Sequence, residues 1–145
     1  MGTVRISASR TCRPKGVDTM AIGRLHHVVL DCPDPDRLAA FYSELLGHPV
    51  TFRSDDWVVV AEREDTSGLA FQLAPDHLGM VWGDPDHPQQ LHLDVMVDDV
   101  QVAEARVEAL GARPLASTAG SVWADPAGHP FCLVPRPGWA TPVSG

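Results

Sequence analysis

The stretch "QQLHLDVMVDD", residues 89–99, decides how the chain is read. Leu91, Leu93, Val95 and Val97 alternate with His92, Asp94 and Met96. Successive side chains of a strand point to opposite faces, so the apolar set shares one face and the imidazole, carboxylate and thioether share the other. A solvated outer face explains this pattern, and so does a strand whose polar side lines a pocket. The rest of the chain has to decide between them.

Directly after this strand, "DDVQVAEARVEALG" (98–111) reads as a helix with an Asp cap, apolar Val100, Ala103, Val107 and Leu110, and a closing Gly111. Three short extended runs follow, "ARPLAS", "SVWAD" and "PFCLVP", the last two joined by the turn "DPAG". The same order stands earlier in the chain. "RLHHVVLDC" (24–32) is a β-rich run, and "PDPDRLAAFYSELLG" carries Asp34 as cap, Pro35 at the first helical position and an apolar stripe of Leu38, Phe41, Tyr42, Leu45 and Leu46. Gly47 supplies the left-handed stop, and "PVTFR", "DWVVVAER" and "GLAFQLA" follow as three strands. An Asp stands thirteen residues before the closing glycine in both halves, Asp34 before Gly47 and Asp98 before Gly111. The halves share this pattern rather than their residues.

The expected organisation is an α+β fold of two βαβββ modules, over 23–75 and 90–136, joined by a turn-rich linker over 76–89. Each helix has one stripe to bury, so both helices belong on the outer side of curved sheets, whose other faces enclose a cavity. Residues 1–22 read as a disordered extension and 137–145 as a tail.

Composition narrows the function classes. The net charge is −8, and residues 1–22 contribute +3, so the remaining chain is strongly acidic and argues against nucleic acid. No apolar run approaches the ~20 residues that span a bilayer, so no membrane partner is expected. Three cysteines without C-x-x-C spacing do not form a disulfide framework, which fits a reducing cytoplasm. There is no glycine-rich phosphate loop and no nucleophile elbow.

Strand parity picks out candidate site residues. His27 and Asp31 share one face of the first strand, and Gln72 stands on the last strand of the same module. His92 and Asp94 share one face in the second module, and Cys132 stands on its last strand. Each module thus offers a ligand-capable pair, His27 with Gln72 and His92 with Cys132. Two imidazoles, a thiolate and an amide oxygen suit Zn²⁺ and disfavour Mg²⁺. Satisfied core histidines and a small buried thiol fit the same pattern.

Together, "LHHVVLDCPDPDRLAAFYSELLG", "LAFQLAPD", "QQLHLDVMVDDVQVAEARVEALGA" and "WADPAGHPFCLVP" resemble the vicinal oxygen chelate superfamily, which includes glyoxalase I, bleomycin-resistance proteins, fosfomycin-resistance enzymes and extradiol dioxygenases. The resemblance covers residues 24–135 and is nearest to a glyoxalase-like branch. It implies metal ligands at His27, Gln72, His92 and Cys132, with a divalent ion (Zn, Fe, Ni or Mn) as Lewis acid toward a small-molecule substrate. Cys132 or Asp94 would then assist proton transfer. It also implies a homodimer, in which a site draws residues from both copies.

The departures from the family pattern carry information. Gln72 stands where glyoxalase I has a glutamate, and an amide cannot shuttle a proton, so true glyoxalase I chemistry is not expected. Relatives usually have glutamate in place of Cys132, and an extradiol dioxygenase needs that carboxylate. The expected function is therefore a lyase, isomerase or dioxygenase type of metal-assisted reaction. The alternative is metal-free sequestration of a small molecule, as in bleomycin resistance. Trp57, Trp82, Trp123 and Met96 are the expected pocket walls, with Trp82 in the linker as a lid.

Overall fold

The computed structural model describes residues 21–143, so the extension expected over 1–22 lies almost wholly outside the described residues. The first module runs β1 (His27–Cys32), α1 (Pro35–Leu46), β2 (Val50–Arg53), β3 (Trp57–Ala61) and β4 (Gly68–Leu73). The second runs β5 (Leu93–Val97), α2 (Val100–Ala109), β6 (Arg113–Pro114), β7 (Ser121–Ala124) and β8 (Pro130–Pro135). The two βαβββ units are those expected. Their sheets are separate, ordered β1-β4-β3-β2 and β5-β8-β7-β6, and do not join into a barrel. In each sheet the first strand runs parallel beside the last; this sets Asp94 opposite Cys132, but it sets His27 opposite Gly68 and Gln72 opposite Asp31, so the expected pair His27 and Gln72 is not brought together.

Helix ends follow local chemistry. The Asp34 carboxylate accepts the Arg37 N–H, Pro35 occupies the first turn, and Gly47 closes α1 at φ 67°. In α2 the cap is Asp99, which accepts the Val102 N–H, rather than Asp98. Asp98 instead accepts from Arg136 Nε at 2.5 Å and from the Val143 N–H at 3.0 Å, which ties the C-terminal tail to the start of α2. Leu110, expected in the α2 stripe, is more than a third exposed.

One core serves both modules. Leu30, Cys32 and Phe71 on the first sheet, Val97, Phe131 and Leu133 on the second, and Leu38, Phe41 and Tyr42 of α1 form a single buried cluster. Phe41 and Phe131 meet across the module boundary edge to face, with ring centroids 5.8 Å apart. Burial of these apolar faces leaves the opposite faces of both sheets free to carry polar groups.

A buried polar knot sits on the same boundary. Tyr42 Oη donates to Asp125 Oδ2 at 2.9 Å, and Asp125 is fully buried. The "DPAG" turn closes with Gly128 N–H on the Asp125 carbonyl, and Asp125 Oδ1 also accepts the backbone N–H groups of Ala127 and His129, each at 2.9 Å. His129 Nδ1 lies 2.9 Å from Asp125 Oδ2, while its Nε2 reaches the Asp31 carbonyl of the first module at 2.9 Å.

Candidate functional site

In the β5–β8 register Asp94 stands opposite Cys132, so the carboxylate and the thiol are neighbours on the open face of the second sheet. His92 precedes β5 by one residue and turns to the same side, its Nε2 3.4 Å from Asp94 Oδ1. A ligand atom from each of His92, Asp94 and Cys132 lies within 4.8 Å of the other two, the one such group among the described residues. His92 and Asp94 are well exposed, so the cluster opens to solvent.

The His92–Asp94 spacing matches that of two ligands on one ion. At 3.4 Å the imidazole–carboxylate contact is long for a charge-assisted hydrogen bond. Two ligands at ~2.0–2.1 Å from one tetrahedral ion are themselves about 3.4 Å apart. Burial pushes the Cys132 thiol up, and the negative charge of Asp94 and a hydrogen bond with it add to the effect. A cation at this point reverses that balance and favours the thiolate.

The cluster lies on the wall of a cavity of about 610 Å³. Trp82, Gln89, Ser117, Val122 and Val134 line it as well. Trp82 belongs to the linker, and its Nε1–H donates to the Ala116 carbonyl at 2.6 Å, which fixes the indole against the loop before β7. Among the described residues, no Lys or Arg lines this cavity.

The remaining candidates lie elsewhere. His27 and Gln72 are on the open face of the first sheet, where Gln72 pairs with Asp31 on β1 and Trp57 on β3. Trp57 packs there against Val59, Ala61 and Ala70. His27 Nδ1 accepts the Gly68 N–H at 3.2 Å, so the neutral ring carries its proton on Nε2 and presents a donor outward. Burial, and then the neighbouring His26 ring, lower the affinity of His27 for a second proton.

Three of the four expected wall residues, Trp57, Trp123 and Met96, are not at this cavity. Trp123 is only 6% exposed, sits in the core beside its register partner Phe131, and donates its indole N–H to Ser121 Oγ at 2.8 Å. Three consecutive residues of β7 are buried, so alternation along this four-residue strand does not reveal which face is the core side. Met96 is exposed and lines a different groove, of about 390 Å³, between the end of α1 and one side of α2.

The sequence reading missed the polar knot. Spacing puts Tyr42 in the apolar stripe of α1, and His129 follows the "DPAG" turn with no pattern that marks it, yet both bond to Asp125. An Asp opening a Pro-Gly turn is ordinarily a surface residue; the available signal was the histidine four positions after it.

The comparisons agree with this architecture. The glyoxalase-like domain family matches residues 27–134. The chain belongs to that family, and with it to the vicinal oxygen chelate superfamily. No curated protein sequence matches it. Among solved structures it is similar to a glyoxalase/bleomycin resistance protein/dioxygenase family enzyme from Burkholderia phytofirmans PsJN, with 18% identity, TM-score 0.61, and coverage of 78% of this chain and 98% of that one. It is also similar to a glyoxalase-related enzyme from Fulvimarina pelagi, with 20% identity, TM-score 0.60, and coverage of 84% and 94%. A third is the antibiotic-binding protein TnmS3 from Streptomyces sp. CB03234, with 22% identity, TM-score 0.50, and coverage of 81% and 99%. At these identities the structural likeness speaks to the fold alone. The solved structures that share this fold thus include named enzymes and an antibiotic-binding protein.

Proposed function

We propose that this glyoxalase-like protein acts on a small molecule in the cavity over its second sheet, with a zinc ion held by His92, Asp94 and Cys132. The convergence of those three donor atoms within 4.8 Å carries the reading. An imidazole, a carboxylate and a thiolate are all zinc donors, and three protein ligands leave a fourth position for substrate or water. Of the divalent ions the family uses, this set suits zinc best, because a thiolate is a poor partner for Mn²⁺.

Bound there, the ion supplies Lewis-acid polarisation of a substrate oxygen. This chain's residues do the rest. The Cys132 thiol proton would pass to solvent when the site loads, which would leave Asp94 ionised, and its carboxylate would be the group placed to move a proton at the substrate. Trp82 covers one side of the cavity and presents an aromatic face, while Gln89 and Ser117 offer hydrogen bonds that orient the ligand.

His27 and Gln72 complete the set of four expected ligands, but their setting supports another part. With Nδ1 taken by Gly68, His27 offers an N–H rather than a lone pair. We assign both residues to hydrogen bonding with a ligand on the first open face, shared with the second sheet's site through pairing of two copies. The protein is proposed to work in the cytoplasm.

Sequestration without a metal is the second reading. It is favoured by the apolar part of the wall, Trp82, Val122, Val134 and Pro135. Cobalt titration separates the two. The metal-using reading expects a sulfur-to-cobalt charge-transfer band in the near ultraviolet that saturates at one ion per chain and vanishes in Cys132→Ser. A folded wild-type protein with no such band, yet with a ligand held in the cavity, establishes sequestration instead.

A further inference from the structure

We propose that the stacked rings of His77 and His129 form an acid-sensitive latch, which holds the linker wall of the cavity in place while His77 is neutral.

His129 is fixed as a cation by its partners. Its Nδ1 faces the Asp125 carboxylate at 2.9 Å and its Nε2 faces the Asp31 carbonyl at 2.9 Å. Both partners are acceptors, since Asp125 already receives the Tyr42 O–H and two backbone N–H groups. Both ring nitrogens must therefore donate, and only imidazolium does so. Burial opposes this charge, but the hydrogen bond and charge of Asp125, together with the Asp31 carbonyl, outweigh it and raise the proton affinity of His129.

His77 lies on that cation, with ring centroids 5.0 Å apart and planes tilted by 30°. Its Nε2 is buried and has no hydrogen-bond partner. A proton added there finds no acceptor and sets two like charges face to face. The other groups facing His77 are Asp31 from β1 and Asp125 from the β7–β8 turn, which both favour its proton. Tyr42 from α1 and Cys32 from β1 adjoin Asp125 as neutral groups. Burial and the His129 charge win, and His77 sits below the ordinary histidine range.

His77 opens the linker. Its N–H bonds the Ala74 carbonyl at 3.0 Å, and the chain passes the "DPAG" turn so closely at Gly79 that a Cβ there would touch the backbone of Ala127 and Gly128. A few residues on, the same segment supplies Trp82 and Gln89 to the cavity wall. Protonation of His77 removes the contact that anchors the start of this segment, so mild acid is expected to loosen the wall at Trp82.

Two-dimensional NMR on the full chain tests this. In wild type the His77 ring should titrate below the ordinary value of about 6.5, and the Trp82 indole N–H resonance should shift or broaden with the same midpoint. In His77→Phe, which keeps a stacking ring without a titrating nitrogen, the Trp82 resonance should stay constant over that range. His77→Gln gives a second comparison should the phenylalanine disturb folding. A Trp82 signal unmoved through the His77 midpoint, or moving equally in the folded variants, overturns the latch.

Discussion

Tyr42 and Asp125 stand 83 positions apart and meet in a 2.9 Å hydrogen bond inside the joint between the two modules. Both are fully buried. The phenol belongs to α1 and the carboxylate to the turn before β8, so one bond couples the halves where their shared core leaves room for a polar group. Asp125 raises the Tyr42 proton affinity further above the effect of burial, which keeps the phenol a donor.

Removing that donor isolates its contribution. Tyr42→Phe keeps the ring against Phe71 and takes one hydrogen bond from a buried carboxylate. A loss of about 1.5–3 kcal/mol is expected, the range for hydrogen bonds to charged groups. Urea unfolding measures it; an unchanged midpoint contradicts the coupling.

The His129–Asp125 pair should matter more, and with a definite pH dependence. His129→Ala leaves a buried carboxylate without its counter-charge and is expected to cost about 3–5 kcal/mol near neutrality. Because folding raises the proton affinity of His129, its contribution is complete below the unfolded value of about 6.5 and declines as pH rises through the raised folded value. The gap between wild type and His129→Ala in urea unfolding should therefore narrow in alkali. A gap that widens contradicts the assigned charge state.

Two glycines separate steric from conformational cost. A Cβ on Gly68 would collide with the Val60 carbonyl oxygen and lie 2.7 Å from Ala61 Cβ, both on the neighbouring strand β3. Gly47 has open space but a φ of +67°. Gly47→Ala is expected to cost about 1–2 kcal/mol through its left-handed backbone. Gly68→Ala should cost more, because backbone must move. Thermal unfolding of the two variants gives the order, and the reverse order contradicts this packing.

Strand parity made the second sheet legible in advance. The alternation through Leu91–Val97 separates Val95 and Val97 in the core from Asp94 and Met96 outside, and the parallel β5–β8 pairing then places Cys132 beside Asp94. The caps at Asp34 and Gly47 were equally local. Features set by the third dimension were not. Asp98 and Asp99 are adjacent and chemically alike, and only the Arg136 contact shows why the second one caps. Trp123 shows no face preference in a strand of four residues. The proton of His27 depends on Gly68, forty-one positions away.

The most direct measurement of the metal-site proposal is zinc binding to the folded chain by equilibrium dialysis, with His92→Ala, Asp94→Asn, Cys132→Ser and His27→Ala as variants. One zinc per chain in wild type is expected, weakened at least about tenfold by each of the first three substitutions, as loss of a ligand demands, and little changed by His27→Ala. No zinc on a folded wild-type chain, or zinc held as tightly after losing Asp94 or Cys132, contradicts the proposed site.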